Sequence, residues 1–163
     1  MGRNQQSLAF LKHLIELIQE RVKDTQRHVG LAGAAGRTLR ERIGSCRDLA
    51  MLRVACCRVV GLPARFVSGY QLQQPPPKDY DLHAWAEVYL PGAGWRGFDP
   101  SAGMEVNDRY VVLATSSKPE LTAAVSGSFS GPLGTSSELN WQIQINEEKS
   151  GTKTPSRNLV QAA

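Results

Sequence analysis

The sequence predicts an α+β fold in which helices pack on one side of an antiparallel sheet. Apolar residues recur at helical spacing early in the chain, whereas the segments after residue 63 alternate in the manner of strands. Helices that precede strands, rather than alternating with them, are typical of this class. The chain has 163 residues, 41% of them hydrophobic, which is sufficient for one core. We expect a single domain over residues 1–146 and a polar, flexible tail over residues 147–163.

Three helical segments are predicted before the first strand. An amphipathic helix is expected over roughly residues 5–23, and its apolar stripe consists of Leu8, Leu11, Leu14, Ile15, Leu17, Ile18 and Val22. A Thr and a Glu in residues 38–41 have the spacing of a capping box, which predicts a short helical turn that starts at the Thr. A second long helix is predicted to begin at Ser45 or Cys46 and to end at Gly61.

Strand-like runs follow the second long helix. They cover residues 64–72, 83–90, 95–99, 110–114 and 139–145. Three consecutive prolines after the first run predict a stiff, exposed loop. A Pro-Gly-Ala-Gly connection between the second and third runs predicts a hairpin, which places these two strands side by side.

Charge and cysteine content exclude several classes of function. The net charge is +4 with a pI near 9.1, and we expect most arginines of the middle segment to lie on solvated helix faces: Arg37, Arg40, Arg42, Arg47, Arg53, Arg58 and Arg65. The arginines are not interleaved with aromatics, so nucleic-acid binding is not expected. No stretch suits a membrane span. Three cysteines make a poor disulfide framework and no signal peptide is visible, so a cytoplasmic location is predicted.

Cys46 is the candidate nucleophile. A helix N-terminus stabilises a thiolate through its free N–H groups and its dipole, and the N–H of Cys46 could donate to an oxyanion. The alternative is a buried, inert thiol. Cys56 and Cys57 lie in the middle of the same predicted helix, and we expect each to be core filler or a partly exposed, unreactive thiol.

His83 and Asp99 are the candidate base and its orienting partner. His83 opens the second strand-like run and Asp99 closes the third, so the predicted hairpin brings them together. A carboxylate there would hold the imidazole and stabilise its charged form. The alternatives are a surface histidine at a strand end and a turn carboxylate before Pro100.

The remaining site predictions concern the walls of a cleft. Ser45 is small and would let a substrate carbonyl approach, while Trp85 and Trp95 would line the cleft unless they simply pack the sheet. No metal-binding motif or phosphate-binding glycine loop is present, so neither a metal nor another cofactor is expected.

Four blocks in the right order resemble the bacterial transglutaminase-like domains of the papain-like cysteine-enzyme group. They are GSCRD (44–48), GLPARFVSGY (61–70), HAWAEVY (83–89) and GWRGFDP (94–100). The resemblance implies a nucleophile-bearing helix packed on an antiparallel sheet, with Cys46, His83 and Asp99 as nucleophile, base and orienting residue. It also implies acyl transfer at a peptide or protein amide through a thioester.

The resemblance leaves the acyl acceptor open between water, giving proteolysis or deamidation, and an amine, giving cross-linking. We expect hydrolysis. A protein-binding module of the same fold without turnover is the alternative, although such a module would be expected to lose one of the three residues. The tryptophan that helps bind the oxyanion in animal transglutaminases has no counterpart before Cys46. The substrate and the oligomeric state are not predicted.

Overall fold

The computed structural model describes residues 3–27, 30–128, 130–136, 138 and 142–145. The elements in chain order are α1 Arg3–Arg21, β1 Lys23–Asp24, α2 Ala35–Glu41, β2 Ile43–Gly44, α3 Cys46–Val59, β3 Ala64–Gln71, β4 His83–Leu90, β5 Gly94–Asp99, β6 Met104–Glu105 and β7 Tyr110–Ser116. A 3-10 turn covers Pro119–Thr122. Five strands form an antiparallel sheet in the order β6-β5-β4-β3-β7, and β1 pairs with β2 in parallel. The predicted α+β class is confirmed.

Helix α3 packs on one face of this sheet, mainly against β4. The small and apolar residues that alternate along β4, from Ala84 to Leu90, are buried together with Leu49, Leu52 and Val54 of α3. Helix α1 adds Leu11, Leu14, Ile15 and Ile18 to the same core. At the beginning of β4, Ala84 belongs to a second buried cluster with Ala50 of α3 and Phe66 of β3.

Helix α2 corrects the prediction of a helix start at Thr38. The helix begins earlier, after Ala34, whose extended backbone makes it the N-cap residue. Thr38 therefore lies inside the helix, and its side chain is buried against α3 rather than capping. Packing on α3 compensates for Gly36, which is a weak helix former.

Arg53 is an exception to the predicted solvated arginines. Its side chain is fully buried, its guanidinium lies 4.5 Å from the ring centre of Phe98, and it donates to the carbonyl of Leu11. Burial lowers the pKa of Arg53 to about 10 because the charge loses its hydration, although the nearby Cys57, Cys56 and Glu105 oppose this effect. Arg53 is buried because it lies within the apolar stripe of α3, and this face of the helix contacts Phe98 of β5.

The strand predicted over residues 139–145 is not formed where the structure describes it, since residues 142–145 have no regular structure. Residues 139–141, the predicted tail over 147–163 and His28 lie outside the described residues. Strands β1, β2 and β6 have two residues each, too short for any periodic signal. Within the described part of the chain, none of the helices has the length and apolarity that crossing a bilayer requires.

Candidate active site

Cys46, His83 and Asp99 each lie at the end of a secondary-structure element. Cys46 is the first residue of α3, His83 is the first of β4, and Asp99 is the last of β5. In the β4–β5 hairpin Ala86 lies opposite Phe98, so Asp99 lies beside the beginning of β4. The packing of α3 on β4 then brings Cys46 to the same end of the sheet.

The carboxylate of Asp99 is hydrogen-bonded directly to the imidazole of His83. The distance between His83 Nε2 and Asp99 Oδ2 is 2.6 Å, and the side chain of Asp99 has no solvent exposure while that of His83 keeps 18%. Burial opposes the charge on His83, but the hydrogen bond to Asp99 and the interaction with Cys46 outweigh it and raise the pKa of His83 well above 6.5. Burial likewise opposes the charge on Asp99, and the bonds from His83 and Ser101 lower the pKa of that carboxyl.

The carboxylate of Asp99 accepts five hydrogen bonds. Its Oδ1 accepts from the backbone N–H groups of Ser101 and Ala102 and from the hydroxyl of Ser101, at 2.7–3.0 Å, and its Oδ2 accepts from His83 and from the hydroxyl of Tyr110. Oδ1 thus caps the turn that follows Asp99, while Oδ2 binds the imidazole of His83. The two alternatives that the sequence left open for Asp99 are therefore both realised, one on each oxygen.

Cys46 is half-buried, and its thiol interacts with the imidazole of His83. Since Nε2 is committed to Asp99, Nδ1 is the ring nitrogen left for the thiol. As the first helical residue, Cys46 carries one of the N–H groups that have no acceptor within the helix. This arrangement can deprotonate a thiol and offers a donor to a nearby oxyanion.

Ser45 serves the helix end and does not face a cleft. It is 2% exposed, and its N–H and hydroxyl both donate to Asp48 Oδ2 at 2.8 Å. Asp48 also accepts from the N–H of Gly33 and from the guanidinium of Arg27. Burial opposes the charge on Asp48, but these hydrogen bonds lower the pKa of its carboxyl to about 2. The residue predicted to contact substrate instead fixes the helix turn that carries Cys46.

The two predicted cleft tryptophans have other positions. Trp85 is fully buried beneath the site, with its ring 6.3 Å from that of His83 and 5.2 Å from that of Tyr110. Trp95 lies four residues before Asp99, about 13 Å away along an extended strand, and it stacks under the guanidinium of Arg65. Trp85 therefore packs beneath His83 and Tyr110 and does not line an open cleft, and Trp95 is not at the site.

Sequence reasoning missed Tyr110, because its strand gave no indication of which face each residue occupies. It also missed Asp48, although the Ser-x-x-Asp spacing of a capping box is visible in residues 45–48. Among the residues that the structure describes, no three His, Cys, Asp or Glu side chains are grouped as metal ligands.

The other two cysteines differ from Cys46 in their surroundings. Cys57 is fully buried, and burial raises the pKa of its thiol to about 11. Burial also raises the pKa of Cys56. Cys57 therefore fills the core, whereas Cys56 is a partly exposed thiol packed against it. Neither thiol has a histidine partner among the described contacts.

Solved structures of bacterial proteins share this fold. A protein of Cytophaga hutchinsonii, described as a candidate cysteine protease, is 32% identical with a TM-score of 0.58, covering 71% of this chain and 38% of that one. LapG of Legionella pneumophila aligns with a TM-score of 0.54 over 65% of this chain and 62% of its own, and its 12% identity makes this a likeness of fold alone.

Curated relatives match part of this chain. An uncharacterized protein of Mycobacterium tuberculosis is 43% identical over 82 residues, which are 44% of this chain and 26% of the relative. A protein-glutamine gamma-glutamyltransferase of Pseudomonas aeruginosa is 36% identical over 67 residues, 37% of this chain and 10% of that enzyme. The chain thus spans about a quarter of the length of the mycobacterial relative. The model of the transglutaminase-like superfamily matches residues 2–100, and the chain belongs to that superfamily.

Proposed function

We propose that this domain is a cysteine-nucleophile acyl-transfer enzyme that acts on a peptide or protein amide through a thioester. The observation that carries the proposal is the position of His83, whose imidazole is hydrogen-bonded to Asp99 and also interacts with the thiol of Cys46. The raised pKa of His83 keeps the ring protonated at neutral pH, and an imidazolium is the counter-ion that a thiolate requires.

The proposed reaction begins with the thiolate of Cys46, whose proton resides on His83. The sulfur attacks the amide carbonyl, and the N–H of Cys46 donates to the oxyanion that forms. His83 then gives its proton to the leaving amine, the carbon–nitrogen bond breaks, and a thioester remains on Cys46. The neutral imidazole takes a proton from the second substrate, which attacks the thioester carbonyl. The carbon–sulfur bond then breaks, the acid (with water) or the new amide (with an amine) leaves, and the thiolate of Cys46 and the protonated His83 are restored. Because two products leave in sequence, ping-pong kinetics are expected.

Water is the proposed acyl acceptor, since hydrolysis needs no binding site for a second substrate, whereas amine transfer does. The similarity to a candidate cysteine protease supports hydrolysis. The similarity to a protein-glutamine gamma-glutamyltransferase supports transfer to an amine, so cross-linking is the second candidate. The expected partner is a peptide or protein, and a cytoplasmic location remains a prediction of the sequence.

The test is incubation with a peptide library, with and without a primary amine, followed by mass spectrometry. Hydrolysis predicts fragments or deamidated peptides in both samples, and cross-linking predicts adducts only where the amine is present. Cys46→Ala should abolish every product, and Cys56→Ala is the matched control that should retain them. A Cys46→Ala protein that still forms product would refute the proposal. A folded wild type that binds peptides without any product would favour the protein-binding module.

A further inference from the structure

Tyr110 and Gln71 form a hydrogen-bonded pair behind Asp99. The amide nitrogen of Gln71 donates to the hydroxyl of Tyr110 at 2.8 Å, and that hydroxyl donates to Asp99 Oδ2 at 2.9 Å. Oδ2 is also the oxygen bound by His83. Gln71, Tyr110, Asp99 and His83 therefore form one continuous chain of polar contacts.

An irregularity in the sheet is responsible for the direction of Tyr110. Along β3 and β7 the pairing shifts by one residue between Ser68 and Gly69, so that Gln71 lies opposite Tyr110. Without this bulge Gln71 would face Val111, and Tyr110 would point to the other side of the sheet, because side chains alternate along a strand. The bulge thus turns the phenol toward the face that carries His83 and Trp85.

Gln71 determines where the phenol proton goes. The amide N–H of Gln71 occupies a lone pair of the Tyr110 hydroxyl, so the hydroxyl hydrogen is free to point at Asp99. Burial, together with the charge and hydrogen bond of Asp99, raises the pKa of Tyr110 far above its usual value, so the phenol keeps its proton. Tyr110 is consequently a permanent donor to the carboxylate.

We propose that Tyr110, held by Gln71, is a positioning residue that sets how strongly Asp99 binds the imidazole of His83. Oδ2 shares its negative charge between two donors, and the phenol dipole has its positive end toward the carboxylate. Asp99 keeps its orientation without Tyr110, because Ser101 and Ala102 hold Oδ1. Without the Tyr110 hydroxyl, His83 would be the one remaining donor to Oδ2 among these two. The carboxylate would then bind the imidazolium of His83 more tightly.

The Tyr110→Phe variant isolates this effect. The ring lies edge-on to Trp85 and borders a groove of about 420 Å³, and phenylalanine keeps the ring while it removes only the hydroxyl. Tyr89→Phe is the matched control, because Tyr89 lies on the same sheet but packs against the distant Trp95. Gln71→Leu removes the second link, and it should act in the same direction but more weakly.

The measurement is the proton NMR signal of the His83 Nε2–H, assigned by its loss in His83→Gln. In Tyr110→Phe we expect the signal to move downfield and the pKa of His83 to rise by about one unit, the size of a hydrogen bond to a charged group. Tyr89→Phe should leave both unchanged. An unchanged or upfield signal in Tyr110→Phe, or an equal change in Tyr89→Phe, would overturn the inference.

The catalytic consequence rests on the proposed function, whereas the NMR signal does not. A more basic His83 gives its proton to the leaving amine less readily, so kcat of Tyr110→Phe should fall while KM is unchanged. If the signal shifts in Tyr110→Phe but the wild type shows no turnover, the proposed function is refuted and the role of Tyr110 remains. Normal turnover with an unshifted signal in Tyr110→Phe would do the reverse.

Discussion

Asp99 Oδ2 lies 2.6 Å from His83 Nε2, although the two residues are sixteen positions apart in the chain. The β4–β5 hairpin closes this distance, since both residues lie at the same end of adjacent strands. The carboxylate is fully buried, so its charge acts on the imidazole with little screening by solvent.

Replacement of Asp99 by Asn should therefore disable the site while leaving the turn in place. An amide cannot hold the imidazolium, so we expect the pKa of His83 to fall toward its usual value and kcat to drop by about 10⁴-fold, as in serine proteases that lose such a carboxylate. Steady-state kinetics and histidine NMR check both expectations. Asp108→Asn, at an exposed turn, is the matched control, and an equal loss in that variant would contradict the role of Asp99.

Alkylation should distinguish the three cysteines. At about pH 7, iodoacetamide is expected to modify Cys46 first, because His83 and the α3 N-terminus favour its thiolate. Burial raises the pKa of Cys56 and Cys57, so they should react slowly. Peptide mapping measures the three rates, and His83→Ala should remove the preference for Cys46. Equal rates in the wild type would argue against an activated thiol.

Asp48→Asn should destabilise the fold in a way that depends on pH. The folded-state pKa near 2 lies below the ordinary value of 3.8, so the charged form stabilises the protein above about pH 4 and this stabilisation disappears as the pH falls toward 2. We expect a loss of about 2 kcal/mol at pH 7 and a smaller difference at pH 3. Urea denaturation measures it.

The matched control for Asp48 is Glu41→Gln. Glu41 also pairs with an arginine, at 2.9 Å, but both side chains are exposed. Solvent screens an exposed ion pair, so this variant should differ little in stability from the wild type. If both variants lost the same stability, the burial of Asp48 would not explain its effect.

Gly69→Ala should be strongly destabilising. A Cβ at this position would lie 2.0 Å from the carbonyl oxygen of Val111 and 2.7 Å from the ring of Trp85, so the bulge that directs Tyr110 could not persist. We expect a loss of about 3 kcal/mol or more. Gly36→Ala in α2 is the opposite case, because its Cβ would meet open space, and it should gain about 1 kcal/mol. Thermal denaturation of both variants tests the contrast.

Local patterns along the chain were sufficient for the elements that build the site. The apolar stripes of α1 and α3 and the alternation in β4 are short-range signals, and the hairpin between β4 and β5 follows from a three-residue connection. Since Cys46, His83 and Asp99 lie at the ends of these elements, their approach could be expected before any coordinates were known.

Packing between distant segments decided the rest. The bulge that turns Tyr110 toward Asp99 depends on how β3 and β7 pair, and no pattern within either strand encodes it. Ser45 is bonded to Asp48 at the N-terminus of α3 and does not face the cleft. This arrangement depends on Arg27 and Gly33, which contact Asp48 from a separate loop. Periodicity shows which residues share one face of a helix or strand. The element that packs on that face, the register of strand pairing and the burial of each side chain depend on how distant segments pack together in the folded chain.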